Sequence, residues 1–263
     1  MNEFAPSIFD TNQLNRLKQE LVVGLNILDD QGQGCDIAGH VTARLPRANT
    51  FWTNEFFLGF EEASISSLNE LDLKLNIVSG SKNISPAISL HAEIYKKNPE
   101  VNAVVHTHPT NAVALSTIEE FQKIELLNID QQAAPFFNST KFYSEHDGVF
   151  ANGEGRVEKV ADHIVGSRAL ILANHGIIVT GENIREAIVG AIILEKACEI
   201  QLKAMSTITI DKNIYDKLKI LPKDAAFQAK KELSKKEIFD YRFNYFARIA
   251  LKKNVDLAKR AAI

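Results

Sequence analysis

Two histidines stand one residue apart at the end of an apolar run, in the sequence AVVHTHP (103–109). The small and β-branched residues before them predict a short strand. Side chains at positions i and i+2 of a strand point to the same face, so His106 and His108 should present two imidazoles on one side. Neutral imidazole is a good ligand for zinc and related metals, and a catalytic metal usually takes three protein ligands and keeps one position open.

A third imidazole could come from His175, in the sequence ILANHGII (171–178). A buried strand is expected to open there into an Asn-His-Gly turn, and Gly176 would give the backbone the freedom to turn the imidazole inward. The three histidines then form a candidate metal site. The spacing alone leaves an alternative open, because an HxH pair also occurs as two unrelated packing or surface residues.

The other histidines are weaker candidates. His91 and His163 fall on predicted helices, where packing or capping roles are expected, and His146 falls in a polar loop where it should be solvated. His40 follows Gly39, and small residues at that point permit a ligand to approach the backbone closely. We therefore keep His40 as a candidate for substrate binding.

Composition narrows the class of protein. The 263 residues are 45% hydrophobic, which is enough for one large core, and 30 basic against 33 acidic residues argue against a nucleic-acid partner. Two cysteines without CxxC spacing encode neither a disulfide framework nor a thiolate zinc site. No apolar run approaches the roughly 18 residues of a membrane span, and no secretory signal or phosphate-binding glycine motif is found. We expect a cytoplasmic protein with no membrane partner.

Hydrophobic periodicity predicts the elements that must position these residues. Asn183 and Glu186 are spaced as a capping box at the start of the clearest helix. The elements alternate without a strict βαβ order, which indicates a single α/β/α domain with a central, mainly antiparallel mixed sheet flanked by helices. We expect this domain over 1–210 and a helical extension over 211–263 that packs on it or on a neighbouring subunit. Helices are predicted at 11–29, 86–97, 110–117, 155–166 and 182–205, and strands within 35–46, 49–60, 71–78, 103–108, 125–129, 141–143 and 168–181.

The motifs also carry a resemblance. The run HAEIYKKNPEVNAVVHTHP (91–109), followed by LILANHGIIVTGENIREAIVGAIILEKACEIQ (170–201), closely resembles the class II aldolase/adducin family, and the resemblance extends back to GCDIAGHVTARLP (34–46). It implies that His106, His108 and His175 hold one divalent metal, zinc first, with iron, manganese and cobalt as alternatives. It also implies a homotetramer with active sites near the subunit interfaces.

Sugar-phosphate aldolases of this family use the metal as a Lewis acid that stabilises an enediolate, and a glutamate before the HxH strand moves the protons. The matching position here is Ala87, and a methyl group cannot transfer a proton. The phosphate-binding residues of the family also differ in this chain. It has Gly39-His40 where the family has Gly-Asn, and Ser85-Pro86 where the family has Ser-Ser. The resemblance therefore implies altered or lost phosphate recognition.

Several functions stay open at this point. The chain could be a metal-dependent decarboxylase, an aldolase of an unphosphorylated oxo- or hydroxy-acid with another proton carrier, or an adducin-like binding protein without catalysis. A non-haem iron oxygenase is a further alternative. We favour a lyase that acts on a small oxo- or hydroxy-acid.

The predicted catalytic residues are Asp130 and Tyr245, with Glu93 and His40 as further proton-carrier candidates. The predicted substrate-binding residues are His40, Ser85 and Gln131. Loop capping or simple packing would equally explain several of these residues.

Overall fold

Eight strands form one mixed sheet in a computed structural model of the chain, which describes residues 9–34, 36–119, 126–145, 155–206 and 218–263. The order across the sheet is β4-β3-β2-β1-β5-β8-β7-β6, and every neighbouring pair is antiparallel except β6 and β7. This confirms the predicted central, mainly antiparallel sheet. The strands are β1 (His40–Ala43), β2 (Thr50–Thr53), β3 (Asn69–Asp72), β4 (Ile77–Ser79), β5 (Ala103–Thr107), β6 (Thr140–Tyr143), β7 (Ala169–Leu172) and β8 (Gly176–Gly181).

Helices cover both faces of the sheet, as the alternation of buried side chains along β5 requires. Val105 belongs to a core shared with Leu21, Ile188 and Phe243, whereas the next residue, Val104, belongs to a second core on the opposite face. The three-layer arrangement is thus confirmed. The helices are α1 (Gln13–Leu28), α2 (Ser89–Lys97), α3 (Thr110–Ser116), α4 (Arg156–Ile164), α5 (Ile184–Ser206), α6 (Lys223–Leu233), α7 (Lys236–Lys253) and α8 (Leu257–Arg260).

Two predicted strands are wrong. The segment 71–78 is a hairpin of β3 and β4, because the Asp72 carboxylate accepts hydrogen bonds from the backbone N–H groups of Lys74 and Asn76 and closes a turn. No strand is formed over 126–129, where the N–H of Leu127 donates to the side chain of Gln201 at 2.9 Å instead of to a neighbouring strand. Position 125 and the solvated loop predicted around His146 lie outside the described residues.

The start of α5 follows the predicted cap with one change. Asn183 Oδ1 accepts the N–H of Glu186 at 3.0 Å, while the Glu186 carboxylate accepts the N–H of Glu182 at 3.3 Å rather than that of Asn183. Farther along the chain, Phe239 and Phe243 of α7 lie in the core beside α1 and α5. The predicted boundary at 210 falls outside the described residues and stays a prediction. Among the described helices, none is long and apolar enough to cross a lipid bilayer.

Candidate metal centre

The ends of β5 and β8 bring the three predicted histidines together. His106 lies in β5, His108 follows that strand, and His175 precedes β8, which pairs antiparallel with β5 so that Thr107 faces Ile177. The three imidazole centroids are 4.8, 5.0 and 4.9 Å apart, and each histidine offers a nitrogen within 4.8 Å of the others. The sequence prediction that these residues converge is confirmed.

The donor geometry fits a divalent metal. His106 Nδ1 lies 2.9 Å from the carbonyl oxygen of Ile177, and a carbonyl only accepts, so the proton is on Nδ1 and the lone pair is on Nε2. The Nε2 atoms of His106 and His108 are 3.1 Å apart. Two nitrogens bound at about 2.0–2.1 Å to one tetrahedral metal would be roughly 3.3 Å apart. The carbonyl of Ile177 thus orients a ligand as partners of metal-binding histidines commonly do.

Burial keeps the ligands in the form that binds metal. His106 is only 3% exposed, and removal from water holds its pKa well below the usual histidine range, with the neighbouring His40 and His175 adding to the effect. Burial also lowers the pKa of His108. A histidine must be neutral to coordinate a cation. The site is therefore ready to bind a metal at neutral pH without first losing protons.

Gly176 is required for a reason other than the one predicted. Its φ is not positive, and the left-handed residue of the turn is Asn174, with φ 55°. A Cβ added at Gly176 would lie 2.3 Å from the carbonyl oxygen of Thr107 and 2.7 Å from Cδ2 of His108. Glycine is present because the β5 backbone and the His108 imidazole occupy the space of a side chain.

A fourth imidazole lies beside the three. His40 of β1 is the register partner of His106, and their ring centroids are 4.8 Å apart. Its Nδ1 is 3.0 Å from Nε2 of His91, whose Nδ1 is 2.8 Å from the hydroxyl of Thr42, which in turn is 2.7 Å from the hydroxyl of Tyr95. His91 was predicted to have only a packing or capping role. Its i,i+4 spacing to Tyr95, and the i,i+2 spacing of His40 to Thr42, were the available signals.

Ser85 and Gln131, the two other predicted substrate-binding residues, lie at the starts of short 3₁₀ turns. Ser85 is buried and its hydroxyl accepts the N–H of Ala87 at 3.3 Å, at the start of the turn Pro86–Ile88 that leads into α2. Gln131 is exposed and begins the turn Gln131–Phe136. Their predicted roles stay predictions.

The two predicted catalytic residues line one groove. Asp130 accepts the N–H of Gln132 at 3.0 Å and lines an apolar groove, between α5 and α7, that Tyr245 also lines. None of the three histidines is among the residues that line this groove. The catalytic roles of Asp130 and Tyr245 stay predictions.

Comparison with known proteins gives a consistent family. Residues 19–202 match the family model described as Class II Aldolase and Adducin N-terminal domain. One relative is a protein of Streptomyces roseochromogenus subsp. oscitans named 4-hydroxy-3-prenylphenylpyruvate oxygenase/4-hydroxy-3-prenylbenzoate synthase. The two chains are 31% identical over 206 aligned residues, which cover 76% of this chain and 72% of that one. Decarboxylase NovR of Streptomyces niveus is also 31% identical, over 76% of this chain and 74% of that one. The fold superposes on L-fuculose 1-phosphate aldolase from Glaciozyma antarctica PI12 with a TM-score of 0.80, 24% identity and 96% coverage of both chains.

Proposed function

Because the chain belongs to the class II aldolase and adducin N-terminal domain family, we propose that it is a metal-dependent carbon–carbon lyase. Its reaction in this proposal is decarboxylation, or aldol cleavage, of an unphosphorylated oxo- or hydroxy-acid. The observation that carries the proposal is the convergence of His106, His108 and His175 with nitrogens spaced for one metal. Decarboxylase NovR, a relative at 31% identity, supports the lyase class.

The three imidazoles would hold a divalent metal, for which zinc is the first expectation and iron, manganese or cobalt are alternatives. When bound, such a metal supplies a Lewis acid that draws electron density toward a substrate oxygen. The Ile177 carbonyl fixes the ring of His106, and the close packing of Gly176 against His108 fixes a second ligand. Three ligands held in this way would leave one coordination position of the metal for the substrate.

Decarboxylation suits this site better than cleavage of a sugar phosphate. The bond between the carboxylate carbon and its neighbour breaks, the electron pair moves toward the carbonyl oxygen and carbon dioxide leaves. A proton from water is then added to the carbon that lost the carboxylate. No base is needed to start the reaction, so the methyl group of Ala87 is no obstacle. Buried surroundings such as those of His106 and His40 also favour the loss of a carboxylate charge.

Elemental analysis followed by turnover on a panel of oxo- and hydroxy-acids tests the proposal. We expect about one metal per chain, with release of carbon dioxide or of an aldehyde. His106→Ala, His108→Ala and His175→Ala should each lose the metal. His163→Ala is the matched control, because His163 lies on α4 and bonds to the Phe142 carbonyl. Full metal content in all three site variants would refute the proposal.

A second candidate is an oxygenase, favoured by one relative that is named an oxygenase. Three imidazoles with open positions can also hold Fe(II). Oxygen consumption by the iron-loaded protein, without carbon dioxide release under nitrogen, would select this function. A protein that binds no metal and turns over no acid would instead support an adducin-like binding role.

The assembly in this proposal is a homotetramer in the cytoplasm. The apolar groove that Asp130 and Tyr245 line supports it, because contiguous apolar surface of this kind often marks a protein–protein contact. Light scattering of the purified protein measures the assembly. A monomer with full turnover would contradict the proposed assembly.

A further inference from the structure

A line of buried side chains runs from the second core to the edge of the metal centre. The hydroxyl of Tyr95, the hydroxyl of Thr42, both ring nitrogens of His91 and Nδ1 of His40 are joined by three hydrogen bonds of 2.7, 2.8 and 3.0 Å. All four side chains are at most 2% exposed. In the described part of the chain, Nε2 of His40 is buried and has no hydrogen-bond partner.

The number of hydrogens on these groups determines in which direction the hydrogen bonds can be donated. Each of the four groups carries one mobile hydrogen when neutral. His40 and His91 are at most 2% exposed and hydrogen-bond only to each other and to the Thr42 hydroxyl in the described part of the chain, so a charge on either ring would be buried without a compensating partner and both rings are neutral. Four hydrogens serve three bonds, so one hydrogen is left at one end. It lies either on Nε2 of His40 or on a hydroxyl of Tyr95 or Thr42.

The two arrangements leave different numbers of buried polar groups without a hydrogen-bond partner. If Tyr95 donates to Thr42, Thr42 to His91 and His91 to His40, only the Nε2–H of His40 lacks a hydrogen-bond acceptor. In the opposite direction, His40 donates to His91 and His91 donates to Thr42. A buried hydroxyl hydrogen and the unprotonated Nε2 of His40 then both lack a hydrogen-bond partner, since the described residues give the Tyr95 hydroxyl no partner other than Thr42. A buried polar group without a hydrogen-bond partner destabilises the folded state by roughly 1–3 kcal/mol, so the first arrangement is favoured by about tenfold or more.

From this geometry we propose that Tyr95, Thr42 and His91 are positioning residues that hold His40 as an Nε2–H donor to a carboxylate or carbonyl oxygen of the bound substrate. His40 is then not a fourth metal ligand, although its ring is as close to His106 as the ligand rings are to one another. The role at the substrate rests on the proposed lyase function. The tautomer itself does not.

Neutron diffraction from deuterium-exchanged crystals of the metal-free protein tests the tautomer directly. We expect deuterium on Nε2 of His40, on Nε2 of His91 and on the Thr42 hydroxyl pointing toward His91. Deuterium on Nδ1 of His40, with Nε2 bare, would overturn the proposal. This measurement uses the unmodified chain, so it does not depend on whether a variant folds.

Paired variants test the role at the substrate, with Co²⁺ as the metal probe and oxalate as the anion probe. Thr42→Val cuts the line and Thr42→Ser keeps the hydroxyl. We expect Thr42→Val to bind oxalate about tenfold more weakly on the Co²⁺-loaded protein and Thr42→Ser to resemble the wild type, with Co²⁺ affinity unchanged in both.

The outcomes separate this inference from the proposed function. Equal oxalate affinity in both variants, or a Co²⁺ spectrum that shows His40 as a fourth nitrogen ligand in the wild type, would overturn the donor role. A wild-type protein that binds no Co²⁺ would overturn the proposed lyase function, while the neutron map would still decide the tautomer.

Discussion

Replacing Gly176 by alanine should damage the metal centre more than the fold. The added Cβ would lie 2.3 Å from the Thr107 carbonyl oxygen and 2.7 Å from Cδ2 of His108, whereas ordinary contact begins at 3.4 Å. One of these neighbours is backbone in a paired strand, so it cannot rotate away. The end of β8 must therefore move away from β5 by about 1 Å, and this movement also changes the position of the adjacent His175 relative to His106 and His108.

The two effects differ in size. Overpacking of this kind costs about 1–3 kcal/mol of folding free energy. Metal ligands tolerate displacements of only about 0.2 Å, so a shift near 1 Å at the end of β8, next to His175, removes one of three ligands. We expect metal affinity to fall by more than the roughly 10–100-fold that loss of an outer-shell partner costs.

The assay pairs Zn²⁺ affinity, from competition with a chelator, with urea unfolding of the metal-free protein. Gly190→Ala is the matched control, because its Cβ would lie 3.0 Å from Cγ1 of Val179 and 3.5 Å from Cζ of Phe136, two side chains that can adjust. This control should keep wild-type Zn²⁺ affinity and change stability by less than about 1 kcal/mol. Wild-type affinity in Gly176→Ala would refute the packing argument for the glycine.

Three further predictions follow from other contacts. The Glu195 carboxylate accepts the N–H groups of Asn111 and Ala112 at the start of α3, both at 2.9 Å, so Glu195→Ala should lower the free energy of unfolding by about 1–2 kcal/mol; an unchanged urea midpoint would contradict this. Because burial holds the pKa of His91 well below 6.5, the folded state excludes a proton that the unfolded state binds. The contribution of His91 to stability should therefore be complete above about pH 6.5 and be lost below it at up to about 1.4 kcal/mol per pH unit. The total fall should be less steep in His91→Gln, so equal slopes would refute this assignment. Ala87→Glu should place a carboxylate one helical turn before His91 and change both metal affinity and the pH–rate profile, and unchanged values of both would show that position 87 does not face the site.

Local patterns in the sequence determined much of this protein. The alternation in AVVHTHP placed His106 and His108 on one face, and the break after ILA marked the turn that carries His175. Periods of two and of 3.6 residues report which side chains share a face of one element. For that reason the flanking helices and the strands β5 to β8 were predicted close to their observed bounds, whereas the predicted strands 35–46 and 49–60 extend well beyond β1 and β2.

Where such patterns are weak, the prediction failed. The segment 71–78 was read as one strand because its turn depends on the Asp72 side chain, and 126–129 was read as a strand although Gln201, 74 residues from Leu127, takes its backbone hydrogen bond. Hydrogen bonds from side chains compete with strand pairing. Their outcome depends on which residues lie nearby in space.

Only the tertiary structure decided the surroundings of the metal centre. The pairing of β1 with β5 sets His40 against His106, and the packing of α2 sets His91 between His40 and Thr42. Gly176 is needed because β5 and β8 meet there without room for a side chain. These contacts join residues far apart in the chain, so no local periodicity encodes them, and they arise only when the strand order and register are fixed.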